Sequence, residues 1–106
     1  MECQNTNIDD CLIFLRKRIG DSRGSFTRLF CDEVLQSHSV NFGIKQINQS
    51  LTNQEHTLRG FHLQKGNFAE QKLVSSLSGR ILDIIIDLRL GSKTVSYTHL
   101  TLPTKA

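Results

Sequence analysis

Gly79-Arg80-Ile81-Leu82-Asp83-Ile84-Ile85-Ile86-Asp87-Leu88-Arg89 is the stretch from which the fold class is read. Alternation with a period of two places Leu82, Ile84, Ile86 and Leu88 on one face of an extended segment, with Asp83 and Asp87 beside Ile81 and Ile85 on the other. The first face is expected to be core and the second to line a wetter surface. Working back toward the N-terminus, Gln71 to Ser78 reads as a preceding strand joined to this one by a tight hairpin at Ser78-Gly79. Thr57 to Gln64 and Ile44 to Ser50 read as strands as well. In the latter, Ile44, Gln46, Asn48 and Ser50 share one face.

The first thirty-odd residues continue the pattern. Cys11 to Arg16 is a candidate strand, Gly20-Asp21-Ser22-Arg23-Gly24 a turn, and Phe26 to Phe30 another strand. Asp32 to Ser37 predicts one helical turn, capped by Asp32, with Val34 and Leu35 facing inward. The class is therefore all-β, and a sandwich, a jelly roll or a barrel would suit it. Such folds close with about eight strands, whereas roughly six segments here qualify. The architecture is expected to be incomplete.

The chain has 106 residues, room for one small domain. Charged residues make up 22% and hydrophobic ones 38%, a balance that supports a folded core rather than disorder. The longest apolar runs, Cys11 to Leu15 and Ile84 to Ile86, are far shorter than the ~20 residues of a membrane-spanning helix. The opening Met1-Glu2-Cys3-Gln4-Asn5 lacks the basic and apolar regions of a secretory signal, so the cytoplasm is the expected compartment. A net charge of +3 suits an anionic ligand without marking a nucleic-acid binder. Cys3, Cys11 and Cys31 form no C-x-x-C pair and read as reduced thiols.

A string of motifs narrows the reading further: Asp21-Ser22-Arg23-Gly24-Ser25-Phe26, Gln46-Ile47-Asn48-Gln49-Ser50, Leu58-Arg59-Gly60-Phe61-His62-Leu63-Gln64, Gln71-Lys72-Leu73-Val74, Gly79-Arg80-Ile81-Leu82-Asp83 and Asp87-Leu88-Arg89-Leu90-Gly91-Ser92-Lys93-Thr94. In order and spacing this string resembles the dTDP-4-dehydrorhamnose 3,5-epimerases, over roughly residues 10 to 94. The resemblance implies a cupin-type jelly roll, usually a homodimer, that inverts the stereocentres flanking the ketone of a dTDP-4-keto-6-deoxyhexose in dTDP-L-rhamnose biosynthesis. Residues 1 to 94 would be the N-terminal part of one such domain. No cofactor, metal, nucleic acid or membrane is implied.

The chemistry accounts for the residue types. A C–H bond beside a carbonyl yields its proton only when a base lies within reach and the enolate oxygen is stabilised. The resemblance makes His62 the base, since an imidazole accepts a proton without burying a permanent charge. It places Lys72 at the developing oxyanion. Arg59, Gln46 and Asn48 match substrate-holding positions, the guanidinium suiting phosphate and the amides suiting sugar or base. Arg23 matches a further binding position, and the segment around Arg23 and Phe26 would reach a neighbouring subunit's nucleotide. Outside that context, Lys72 and Arg59 read as solvated strand-edge charges, and Gln46 and Asn48 as partners for backbone groups. Arg59 and His62 stand three apart and would point to opposite faces of a regular strand, so Gly60 is expected to re-aim one of them through a bulge.

Two departures from the family pattern stand out. Arg28 occupies a position where the family usually has glutamate, which leaves it out of the site. The similarity also ends at Thr94, ahead of the family's tyrosine proton donor and the aspartate that partners the histidine, so the 106-residue chain is expected to be poorly active. Val95 to Ala106 resembles a translated sequencing adapter and reads as a non-native tail, which sets Tyr97 and His99 aside. Asp83 and Asp87 read as structural. His56, His62 and Glu70 lack the close His-x-His pair of metal-binding jelly rolls, and a related 3-epimerase, a ketoisomerase or a non-catalytic sugar-nucleotide-binding module are the alternative functions.

Overall fold

The computed structural model describes the backbone of residues 1–101 and the side chains of residues 1–99. Six strands of four residues each pair as three antiparallel two-stranded sheets, with one short helix. The chain is thus strand-dominated with little helix. No barrel closes among the described residues.

β1 (Glu2–Asn5) pairs with β2 (Leu12–Leu15) in the register Cys3↔Phe14 and Gln4↔Ile13. The intervening loop is organised by Thr6, whose hydroxyl donates to the Cys11 carbonyl at 2.8 Å and accepts the Ile8 amide at 3.1 Å. Those bonds satisfy backbone groups that the ladder cannot reach, and they hold Ile8 at 5% exposure. β3 (Arg18–Asp21) and β4 (Gly24–Thr27) form a hairpin whose two-residue loop is Ser22-Arg23. Asp21 Oδ1 accepts the Arg23 amide at 2.8 Å, the local side-chain bond that makes aspartate a turn former.

α1 (Asp32–Ser37) falls on the predicted residues, but its N-cap is Cys31, not Asp32. Asp32 instead lies in the first turn, where a carboxylate opposes the helix dipole, and accepts the Gln36 amide at 2.7 Å. The helix ends in a Schellman motif. Ser39 adopts φ +62, and the Val40 and Ser39 amides bond the Leu35 and Gln36 carbonyls at 2.9 Å each. Leu35 is 1% exposed and Val34 half-buried. The His38 ring meets Phe14 of β2 edge-on at 5.8 Å, so the helix end rests on the first sheet.

The region after α1 departs from expectation. Ile44 to Ser50, Thr57 to Gln64 and Gln71 to Ser78 are not strands, Ser78-Gly79 is a bend, and a turn at Glu55-His56 and a short 3₁₀ turn at Gly66–Phe68 interrupt the segment. Alternation supplies a face, but a strand also needs a neighbour to take its N–H and C=O groups. No partner strand lies beside these segments among the described residues. Ile47, Leu58 and Phe68 are at least 80% exposed. The end of β2 does reach this region, where Arg16 donates to the carbonyl of the buried Ser76 at 2.9 Å.

β5 (Asp83–Ile86) pairs with β6 (Thr98–Thr101), matching Ile84 to Leu100 and Ile85 to His99. The expected core face of this strand is corrected by the structure. Leu82, Ile84, Ile86 and Leu88 are exposed, whereas Asp83 and Ile85 are half-buried and Asp87 is buried. The aliphatic face is the more exposed one among the described residues, with Leu82 and Leu88 above half exposed and Ile84 and Ile86 a little over a third, while the opposite face turns toward the β1–β2 loop. Of the stretch read as a tail, residues 98–101 form β6, and residues 102–106 lie outside the described residues.

The whole is open. A radius of gyration of 15.3 Å exceeds the ~13 Å of a compact chain of this length, and the accessible surface of 9481 Å² compares with roughly 6000 Å² for a closed monomer. Among the described residues, no helix is long and apolar enough to cross a membrane.

Candidate functional site

Arg59, Gly60 and His62 lie in the irregular segment before the 3₁₀ turn. Gly60 has φ +105, a conformation that side chains with a Cβ rarely adopt. A Cβ placed there would stand 3.5 Å from both the backbone N and the Nδ1 of His62. The imidazole is therefore folded back over the glycine. The expected bulge at Gly60 is absent, since the segment belongs to no ladder among the described residues; Gly60 departs from extended geometry through its positive φ instead. His62 is exposed and makes no hydrogen bond among the described residues.

The cations sit in contrasting surroundings. Arg59 donates from Nε and one terminal nitrogen to the Thr52 hydroxyl, at 3.3 Å each. A neutral hydroxyl orients the guanidinium without neutralising it. Lys72 stands 3.8 Å from Glu70, both side chains more than half exposed, and a pair so solvated contributes little. Arg23 is bound to Asp21 at 2.7 Å, and the contact holds the aspartate below its usual range and raises the arginine. Gln46, Asn48 and Arg28 are exposed, and neither amide makes a hydrogen bond among the described residues.

Among the described residues, no hydrogen bond or ion pair joins any two of Arg23, Gln46, Asn48, Arg59, His62 and Lys72. A cleft of about 460 Å³ lies beside α1, lined by Phe30, Asp32, Gln36, Asn41, Phe42 and Ile44 among others. None of the six candidates borders it.

A polar cluster that the sequence reading did not assemble is centred on Asp87, whose side chain is 1% exposed. Its Oδ1 accepts the Arg89 amide and Nε, each at 3.0 Å. Oδ2 accepts Arg89 at 3.0 Å and the Ser92 and Thr94 hydroxyls at 2.8 Å each. The Arg89 guanidinium, followed by these donors, holds Asp87 far below the ordinary carboxylate range, and Asp87 with Asp10 raises Arg89. Arg89 also spans to Asp10 at 2.9 Å and to the Asp9 carbonyl at 2.7 Å. The Asp-x-Arg spacing, which puts both side chains on one face, and the Ser-x-Thr that follows are the signal in the sequence.

The profile of the family described as dTDP-4-dehydrorhamnose 3,5-epimerase matches residues 5–104. The chain is 34% identical over 94 residues to the dTDP-4-dehydrorhamnose 3,5-epimerase of Sinorhizobium fredii, covering 89% of this chain and 48% of that protein. It is 33% identical to the Escherichia coli enzyme of the same name, covering 87% of this chain and 50% of that one. For the Shigella flexneri enzyme the identity is 36%, with 89% and 52% covered. No solved structure matches the chain significantly. The chain belongs to the dTDP-4-dehydrorhamnose 3,5-epimerase family, and it spans about half the length of the relatives it matches.

Proposed function

We propose that the protein carrying this sequence epimerises both carbons flanking the ketone of a dTDP-4-keto-6-deoxyhexose, in the biosynthesis of dTDP-L-rhamnose. The observation that carries the reading is the Arg59-Gly60-Phe61-His62 segment with Lys72 downstream, inside a family match covering residues 5–104. His62 abstracts the proton beside the ketone, and the electron pair of the broken C–H bond moves into the enolate. Lys72 stabilises the oxygen on which that charge collects. Delivery of a proton to the opposite face of the same carbon, by the tyrosine donor that the family resemblance implies beyond Thr94, collapses the enolate and inverts the carbon; the donor is recharged from solvent, His62 releases its proton there, and repetition at the second carbon completes the reaction.

Arg59 is the proposed diphosphate contact, supported by a guanidinium oriented by Thr52 and in no ion pair among the described residues. Gln46 and Asn48 supply amides to the sugar or base. Arg23, at the tip of the exposed β3–β4 hairpin, is the proposed contribution to a neighbouring subunit's site in a homodimer. Phe26 on this hairpin is 65% exposed and stands opposite Ile19 at 61%, an apolar pair that supports an intersubunit role.

The same proposal places residues 1–94 in the N-terminal part of a cupin-type jelly roll, working in the cytoplasm, with 95–106 as an appended stretch. A strand ladder is made by backbone groups and tolerates almost any side chains, so the pairing of β6 is compatible with that view. Product NMR with dTDP-4-dehydro-6-deoxyglucose tests the function. Deuterium from solvent at both flanking carbons supports it, incorporation at one carbon favours a 3-epimerase, and ligand binding without exchange favours a non-catalytic binding module.

A further inference from the structure

We propose that Asp87 is the pin of an acid-sensitive clasp that locks the β1–β2 loop onto the turn at residues 87–97, with the Asp9 amide at its far end. The relay is short and directional. Asp87 Oδ2 accepts the Thr94 hydroxyl at 2.8 Å, and the same hydroxyl oxygen accepts the Asp9 amide at 3.1 Å. The hydroxyl's single proton is committed to the carboxylate, which leaves its lone pairs for the amide. Arg89 closes the clasp a second time, through Asp10 and the Asp9 carbonyl.

The groups facing Asp87 define the chemistry. On its own segment these are Arg89, Ser92 and Thr94; across the gap, Arg89 meets Asp10. Asp9 contributes its backbone groups, the His99 ring bonds Asn7 of the β1–β2 loop at 2.8 Å, and among the described residues Lys93, Tyr97 and His99 make no side-chain bond to the carboxylate. The backbone seats Asp87 as well, since its amide donates to the Tyr97 carbonyl at 3.1 Å and its carbonyl accepts the Ser96 amide at 2.7 Å. A carboxylate ringed by five donor contacts, with its side chain 1% exposed, has no water to replace them. Protonation turns one acceptor site into a donor facing other donors. The Thr94 hydroxyl then loses its fixed orientation, and the Asp9 amide loses its acceptor.

Amide hydrogen exchange by NMR on the 106-residue chain tests the clasp, each rate being divided by the intrinsic rate at the same pH. As the pH falls from about 7 to about 2.5, protection at Asp9 drops by about tenfold, while the Leu35 amide, bonded to the Cys31 carbonyl within α1, keeps its protection. Asp87→Asn and Thr94→Val lower Asp9 protection at neutral pH. Asp10→Asn leaves the acid response of Asp9 in place. The clasp is overturned if Asp9 protection stays flat through the acid titration, or falls only together with Leu35. The titration of the unaltered chain decides the matter should Asp87→Asn fail to fold.

Discussion

The ring of His62 lies against Gly60: a Cβ at Gly60 would stand 3.5 Å from His62 Nδ1, on a backbone with φ +105. The contact itself would be ordinary, but the conformation is strained for any residue with a Cβ, at a cost of about 1–3 kcal/mol. Gly60→Ala is therefore expected to shift the His62 backbone. In an active protein kcat falls while KM changes little, because Gly60 touches no part of the substrate in the proposed reading. Steady-state kinetics of the variant check this, and an unchanged kcat would separate the His62 position from the glycine.

Among the described residues, Arg59 is held by the Thr52 hydroxyl alone. Arg59→Gln removes the proposed diphosphate contact and is expected to weaken binding of dTDP by about 10- to 100-fold, the range of a charge-assisted hydrogen bond. Thr52→Ala, which frees the guanidinium without removing it, costs less. Isothermal titration calorimetry with dTDP distinguishes the two. Equal affinities for Arg59→Gln and the unaltered chain would remove Arg59 from the site.

Stability toward acid follows from Asp87. Its carboxyl titrates below the ordinary value of 3.8 in the folded chain, so the unfolded state binds the proton more readily. The contribution is complete above the ordinary value and is lost as the pH falls through it toward the folded value. Thermal midpoints are expected to be flat from neutral pH down to about 5 and to drop below about 4. Asp87→Asn lowers the neutral midpoint and flattens the acid limb. Asp21, equally bound to an arginine but exposed, is expected to matter far less.

Leu35 is the most buried large side chain among the described residues. Leu35→Ala is expected to cost about 2–5 kcal/mol, a large share of what so open a chain holds. Chemical denaturation would show a lower midpoint, and an unchanged midpoint would mean that α1 contributes little to the folded state.

Single strands, one turn and the short helix were legible where the signal is local, whereas none of the three strand pairs was. The Gly20 to Gly24 turn, the strand within Cys11 to Arg16 and α1 at Asp32 to Ser37 each depend on neighbours in sequence. Pairing of Ile44 to Ser50 or Gln71 to Ser78 depends instead on a distant strand, which alternation cannot supply. The inverted face of β5 has the same origin. Period two separates Ile84 from Asp83, but only the β1–β2 loop, far away in sequence, decides that Asp87 is the buried side. His62, Lys72, Arg59, Gln46, Asn48 and Arg23 were named by motif order. Their chemistry was readable, while their convergence depends on tertiary contacts between segments that do not pair among the described residues.

The most direct test of the central claim follows substrate protons in deuterated water by NMR, with dTDP-4-dehydro-6-deoxyglucose and the 106-residue chain. The account predicts slow deuterium incorporation at the carbons flanking the ketone, with little epimer accumulating, and its loss in His62→Ala, a variant expected to retain binding. A base of this kind contributes about 10²–10⁴-fold. Incorporation that persists undiminished in His62→Ala, or bound substrate that exchanges no proton, would contradict the assignment of His62 as the base.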